Sequence, residues 1–235
     1  MATFSKKGDE TRERILDAAV QVLSKKGYSG AGVREIAREA DVNLAMISYY
    51  FDNKAGLFKA IVNRFFDRYG KAILPVMADQ SGTPRERVRR GLRAAMEVLR
   101  TYSDEVRVAV LELPLEIHDL KDLKAERIRT LVFPVLAALI ESLVPHMRRE
   151  LRLEMIAPTV GGILMFHFVM RPVIEKVFDS QFDDKYYDDF ADELTQLLMY
   201  GLLGTPDSEL GAEHLTAELG TEHHTAEYDP EEDQS

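Results

Sequence analysis

Residues 27–58 read GYSGAGVREIAREADVNLAMISYYFDNKAGLF, and their spacing decides the fold of the N-terminal part of the chain. Val33, Ile36, Ala37 and Ala40 share one side of a short helix over Val33–Ala40. Asp41-Val42 leaves room only for a brief turn, and Asp visits left-handed backbone more readily than most residues. Asn43 is a natural N-cap for a second short helix over Leu44–Tyr50. The inward residues of the pair, Val33, Ile36, Ala37, Val42 and Ile47, are apolar, while Leu44, Ala45, Met46, Ser48 and Tyr49 face outward. Asn53 caps a further helix that starts near Lys54 and carries Leu57, Phe58, Ile61, Val62, Phe65 and Phe66. Two short helices across a tight turn, the second exposing its side chains, define a helix-turn-helix.

Outward from this stretch the pattern stays helical. Upstream, Ile15, Ala18, Ala19, Val22 and Leu23 form one apolar stripe, with Asp9 or Thr11 as cap and Gly27 as the residue just past the end. Downstream, the helix from Lys54 continues beyond Leu74-Pro75 to a break at Ser81-Gly82, where Thr83 is an N-cap and Pro84 takes the first helical position. One helix then runs to about Tyr102, and another from Asp104 to about Glu116, disturbed by Pro114. Longer ones cover about Leu120–Leu143, interrupted at Pro134, then Leu151–Phe178, bent or split near Pro158 and Pro172, and Tyr186–Leu203. No alternating strand pattern appears. The expected fold is all-α, divided into an N-terminal arm and three-helix helix-turn-helix unit (1–53), a larger helical body (54–204) and a tail (205–235).

The charge belongs to the tail. The 235 residues hold 30 Lys plus Arg and 40 Asp plus Glu, a formal net charge of −10. A nucleic-acid binder usually carries a basic excess. Residues 205–235 contain ten of the acidic groups and no Lys or Arg, which leaves 30 basic and 30 acidic side chains in residues 1–204. Poor in large apolar groups, the tail reads as a disordered, solubilising extension. An alternative is that it competes with an anionic partner for basic side chains of the N-terminal part. The absence of Cys excludes a disulfide framework and thiolate zinc sites. The longest uncharged run, Met155–Met170, falls short of the ~18 residues of a membrane span, and no secretory signal is visible at the start. A cytoplasmic protein without a membrane partner is expected.

The stretch from Thr11 to Phe58 closely resembles the DNA-binding domain of TetR-family transcriptional repressors. The shared residues are Gly27-Tyr28, Val33-Arg34-Glu35-Ile36-Ala37, Val42, Tyr49-Tyr50-Phe51, Lys54 and Leu57-Phe58. The resemblance implies a homodimer that binds a palindromic double-stranded DNA operator and is released by a small-molecule effector held in the helical body. It places Leu44, Ala45, Met46 and Ser48 where base edges are read, and Asn43, Tyr49, Tyr50 and Lys54, with Arg34, where phosphates are gripped. Three positions depart from the family: Asp41 replaces the usual turn Gly, Gly32 replaces a capping Thr or Ser, and Ser48 replaces a usual Tyr. The reading face is therefore mostly apolar, suited to thymine methyls and to DNA shape. Lys6 and Lys7 form a short basic arm that either reaches DNA or is a solvated tail.

In the body, Met96, Phe133, Met165, Phe166, His167 and Met170 suggest an adaptable pocket for a partly apolar effector, with plain core packing as the alternative. His118 is a further polar handle. Gly161, Phe168, Phe190, Leu194, Leu197, Leu198 and Gly201 suit a dimer interface built from two helices of each subunit. The run Arg85, Arg87, Arg89, Arg90 and Arg93 reads as a solvated helix face. His214, His223 and His224, with Glu213 and Glu222, lack the spacing of a metal site, and no nucleophile–base motif appears. No cofactor, metal or enzymatic activity is expected. The alternative, a helical ligand-binding or enzymatic bundle with a vestigial helix-turn-helix, should have lost Tyr49, Tyr50 and Lys54, and all three are present.

Overall fold

Gly27 and Asp41 set the first two corners of the chain. Helix α1 (Lys6–Gly30) is kinked at Gly27, whose φ of 66° suits a residue without a side chain. The computed structural model describes residues 6–114, 118–135, 137 and 152–203, and no strand occurs among them. Helix α1 begins earlier than the Asp9 or Thr11 caps imply. Asp9 lies in its first turn, and the Thr11 hydroxyl donates to the Lys7 carbonyl (3.0 Å) inside the helix instead of capping it.

Helix α2 spans Val33–Glu39 and α3 spans Leu44–Phe51. Between them Asp41 takes φ 50°, and the Val42 N–H donates to the Ala37 carbonyl at 3.0 Å, so the turn closes without glycine. Helix α4 (Lys54–Ala78) continues through Pro75, which is exposed, so the carbonyl freed by the missing N–H is near water. A reciprocal pair starts α5 (Pro84–Thr101): the Glu86 N–H donates to the Thr83 hydroxyl (3.3 Å), and the Thr83 N–H donates to the Glu86 carboxylate (2.7 Å).

The short helix α6 (Ser103–Val106) widens into a π-helical turn over Arg107–Glu112, and α7 (His118–Arg127) into another over Ile128–Val132. Lys124 of α7 is buried and donates to the carbonyls of Val110 (3.2 Å) and Leu113 (2.9 Å), closing the end of the first π turn. Burial lowers its pKa. Then follow α8 (Leu153–Val169), α9 (Arg171–Val177) and α10 (Asp184–Leu203). The α8–α9 break falls at Met170, with Pro172 in the first turn of α9, while Pro158 is carried inside α8. No single described helix is long and apolar enough to cross a membrane, although the α8–α9 pair, bent by 71°, is apolar enough when taken together.

One continuous core joins the helices. Ile15, Leu16, Leu23, Ile36, Ile47, Leu57 and Phe58 are fully buried at the N-terminal end, and Val88, Leu92, Met96 and Leu120 continue it through the body. Each such side chain stabilises the fold by about 1.5–3 kcal/mol. The arginine run on α5 is not a free solvated face. Arg89 forms a two-pronged pair with Asp192, Arg93 reaches Asp188 at 3.3 Å, and Arg100 pairs with Asp184, so α5 is stitched to α10. Arg90 instead holds the loop before α5, through Asp79 (3.5 Å) and the Ser81 carbonyl (2.8 Å).

Candidate nucleic-acid interface

Helix α3 is the exposed element of the N-terminal unit. Its underside, Ile47 and Phe51, is buried against Ile36, Ala37 and Ala40. Asn43 caps it as expected, its side chain accepting from the Ala45 N–H at 2.9 Å. Gly32 precedes α2 with no side-chain cap, and the Ile36 N–H bonds to its carbonyl at 3.1 Å. Leu44, Ala45, Ser48 and Tyr49 are exposed on α3, while Met46 is half-buried against the core. Asn43 and Arg34 are also exposed. Tyr49 and Tyr50 meet edge to face, with ring centroids 5.0 Å apart. Lys54 is half-buried and sits 4.9 Å from the Tyr28 ring centroid and 5.4 Å from that of Phe58. The aromatic faces hold its ammonium at the start of α4, beside the α3 C-terminus.

Two interactions that the sequence did not reveal fix this unit. Glu35 of α2 pairs with Lys26 of α1 at 2.6 Å, and this hydrogen bond holds its carboxyl below the usual range. Gly56 lies so close to the end of α3 that a β-carbon there would stand 2.0 Å from the Phe51 carbonyl oxygen.

Behind the interface, Arg64 of α4 is buried at 8% exposure. It bonds Glu105 of α6 at 2.9 Å, and Asp17 and Glu13 of α1 at 2.7 and 3.1 Å; Arg68 also pairs with Glu105. Arg107 donates to the Ser24 carbonyl near the end of α1 (2.5 Å). The N-terminal unit is therefore tied to α4 and α6 by charge-assisted bonds. The signal was present in the sequence only as isolated charges.

Among the described residues, those expected to form the effector pocket fall against different cavities. Met96 lines one between α5 and α10, with Arg93, Arg100 and Tyr187, and Met165 lines another with Phe168 and Arg171. Phe133 and Met170 are half-buried, and Phe166 is exposed. His167 is stacked 3.8 Å from Phe190 and hydrogen-bonded to the Tyr186 hydroxyl at 2.7 Å. The side chain of His118 lies outside the described residues, as do the tail histidines. No group of three or more metal-ligating side chains occurs among the described residues.

Burial lowers the His167 pKa, so the folded state binds its proton less readily than the unfolded state. Stability should therefore fall as pH drops below about 6.5, the ordinary imidazole value. Melting curves from pH 7.5 to 5 should flatten in His167→Gln. An unchanged pH slope would contradict this assignment.

Of the residues expected at a dimer interface, Leu194 is buried within the subunit, and Phe168, Phe190 and Leu198 pack partly against its core. Leu197 and Gly161 are exposed, and Gly201 lies near the end of α10. Met155, Phe166, Val169, Val173, Val177 and Phe178 of α8–α9 and the following turn are exposed as well.

A short exposed helix, braced by a second helix across a left-handed turn, is the geometry of a helix-turn-helix domain that can place one helix in a DNA major groove. Residues 15–61 match the family described as "Bacterial regulatory proteins, tetR family". The chain is 48% identical over 63 residues to the probable HTH-type transcriptional regulator YttP of Bacillus subtilis, 27% of this chain and 30% of that protein. It is 37% identical over 68 residues to the HTH-type transcriptional repressor NicS of Pseudomonas putida, 29% of this chain and 32% of that protein. These alignments span about a third of the length of either relative.

Two solved structures share the fold. The fatty acid degradation regulator FadR from Bacillus halodurans superposes with a TM-score of 0.69 at 21% identity, covering 86% of this chain and 98% of its own. AibR, solved with isovaleryl coenzyme A and operator DNA, gives 0.64 at 19%, covering 83% of this chain and 100% of its own. Over residues 15–61 the chain is similar to the N-terminal domain of the TetR family.

Proposed function

We propose that this protein is a ligand-responsive DNA-binding repressor, active as a homodimer on a palindromic operator and released by a partly apolar small molecule. The observation that carries the reading is α3. Its N-terminus is exposed and capped by Asn43, its underside is clamped by α2, and Lys54 is held beside its far end. In this reading Leu44, Ala45, Met46 and Ser48 contact bases, while Arg34, Asn43, Tyr49, Tyr50 and Lys54 contact phosphates. The exposed apolar side chains of α8–α9, with Leu197 of α10, supply surface for the second subunit. A repressor among the relatives and a neighbour bound to both an acyl-coenzyme A and operator DNA support the same assignment. Residues 1–53 act as the reading unit and 54–204 as the sensing body. The protein works in the cytoplasm and is not an enzyme.

Genome-wide mapping of binding sites, followed by gel shifts on the recovered fragments, tests this. Operators should be two-fold symmetric and A·T-rich at the positions that α3 reads. Lys54→Ala should weaken binding on every sequence alike and lower the salt slope by about 1, the value for one phosphate no longer neutralised. Weakening confined to the specific operator, or none at all, would contradict the phosphate role.

A further inference from the structure

A cavity of about 160 Å³ lies between α6 and the α8–α9 corner. Its charged walls are Arg100, Arg107 and Arg171, against a single acid, Asp104. Val106, Met165 and Phe168 make the apolar wall. At about 30 Å³ per water-sized group, the space holds five or six non-hydrogen atoms. Guanidinium groups beside aliphatic and aromatic surface select an organic anion with an apolar end, because a guanidinium binds carboxylate or phosphate through paired N–H donors. Arg100 is held by Glu97 and Asp184. Arg107 uses its Nε for Glu112 (3.3 Å) and Arg171 its Nε for Glu175 (3.0 Å), and a guanidinium has five donors in all.

The same segment reaches the reading unit. Glu105, between cavity-lining Asp104 and Val106, is buried among Arg64 and Arg68. Arg107 itself donates to the Ser24 carbonyl near the end of α1. We propose that this cavity binds a short organic anion with an apolar end, its charge on Arg107 and Arg171, and that the bound anion draws Arg107 away from Ser24. The turn of α1 just before the Gly27 kink, which carries Lys26 and its bond to Glu35 of α2, is thereby loosened. The proposal rests on the ligand-responsive reading and gives it a ligand class and a first step. A ligand shifts an equilibrium only by binding one state better, and here the difference is the Arg107 bond it displaces.

Calorimetry on the full chain without DNA tests the site separately from DNA recognition. The probes are butyrate and butanol. Butyrate should bind at least tenfold more tightly than butanol, which has the same apolar end without the charge. Arg107→Gln and, separately, Arg171→Gln should each weaken that anion at least tenfold and leave butanol unchanged. Hydrogen exchange at residues 24–30 should quicken on binding in the parent protein. Equal binding of butanol, or anion binding indifferent to both substitutions, would overturn the site. Protected or unchanged exchange at residues 24–30 would overturn the displacement step. DNA binding on gel shifts would stand in either case, so failure here is distinct from failure of the repressor reading.

Discussion

Replacing Gly56 by alanine should destabilise the protein by about 2 kcal/mol and weaken operator binding about tenfold. Alanine is the better helix former by roughly 1 kcal/mol, so position in a helix alone predicts the opposite sign. Close packing reverses it. A β-carbon at Gly56 would lie 2.0 Å from the Phe51 carbonyl oxygen and 3.1 Å from its carbonyl carbon. Both are backbone atoms of α3, and Phe51 is buried at 5% exposure, so no flexible side chain can yield. Relief requires α3 to move relative to α4, and α3 carries the side chains proposed to contact bases. Urea titration gives the stability and gel shift the affinity. A variant as stable as the parent would show that the two helices can separate at no cost.

Arg64→Gln should cost about 3 kcal/mol, a fall in Tm of roughly 10 °C. Arg64 is 8% exposed and Glu105 4%. Burial pushes the Glu105 carboxyl up, and Arg64 and Arg68 pull it back. With Arg64 gone, only Arg68 remains to compensate a buried carboxylate. The folded-state pKa then rises further above its unfolded value near 4.3. A carboxyl raised in this way makes stability fall as pH increases, so the deficit of the variant should grow between pH 4 and 8. The double variant Arg64→Met, Glu105→Leu should recover most of the stability, because it leaves no unpaired charge between α4 and α6. A single variant melting within about 2 °C of the parent would show that the network adds little to stability.

Much of the N-terminal unit was legible because its determinants are local. The Asn43 cap, the left-handed turn at Asp41 and the apolar underside of Ile36, Ala37 and Ile47 each depend on residues a few positions apart. The Thr83 cap and the break near Pro172 were legible for the same reason. The body was harder to read. Arg89 and Arg93 looked like part of a solvated face until Asp192 and Asp188, about a hundred positions on, came opposite them, as Asp184 does opposite Arg100. The four-residue spacing of those aspartates was a usable hint, since it places them on one face of a helix. The Met and Phe residues expected in one pocket scatter, because apolar composition marks burial but not which cavity a side chain meets.

Local spacing was enough to define the helices, the corner residues and the class of the reading unit, since caps, turns and periodicity act over a few residues. Counting charges along the chain also showed that the −10 sits in residues 205–235 and not in the helical part. It took the packed helices to show that a β-carbon at Gly56 would meet the Phe51 carbonyl, that Arg64 joins α1, α4 and α6, and that Arg107 lies between a cavity and α1 near its Gly27 kink. Those interactions join residues five to 83 positions apart. Such pairs depend on how helices pack, and no local spacing rule encodes it.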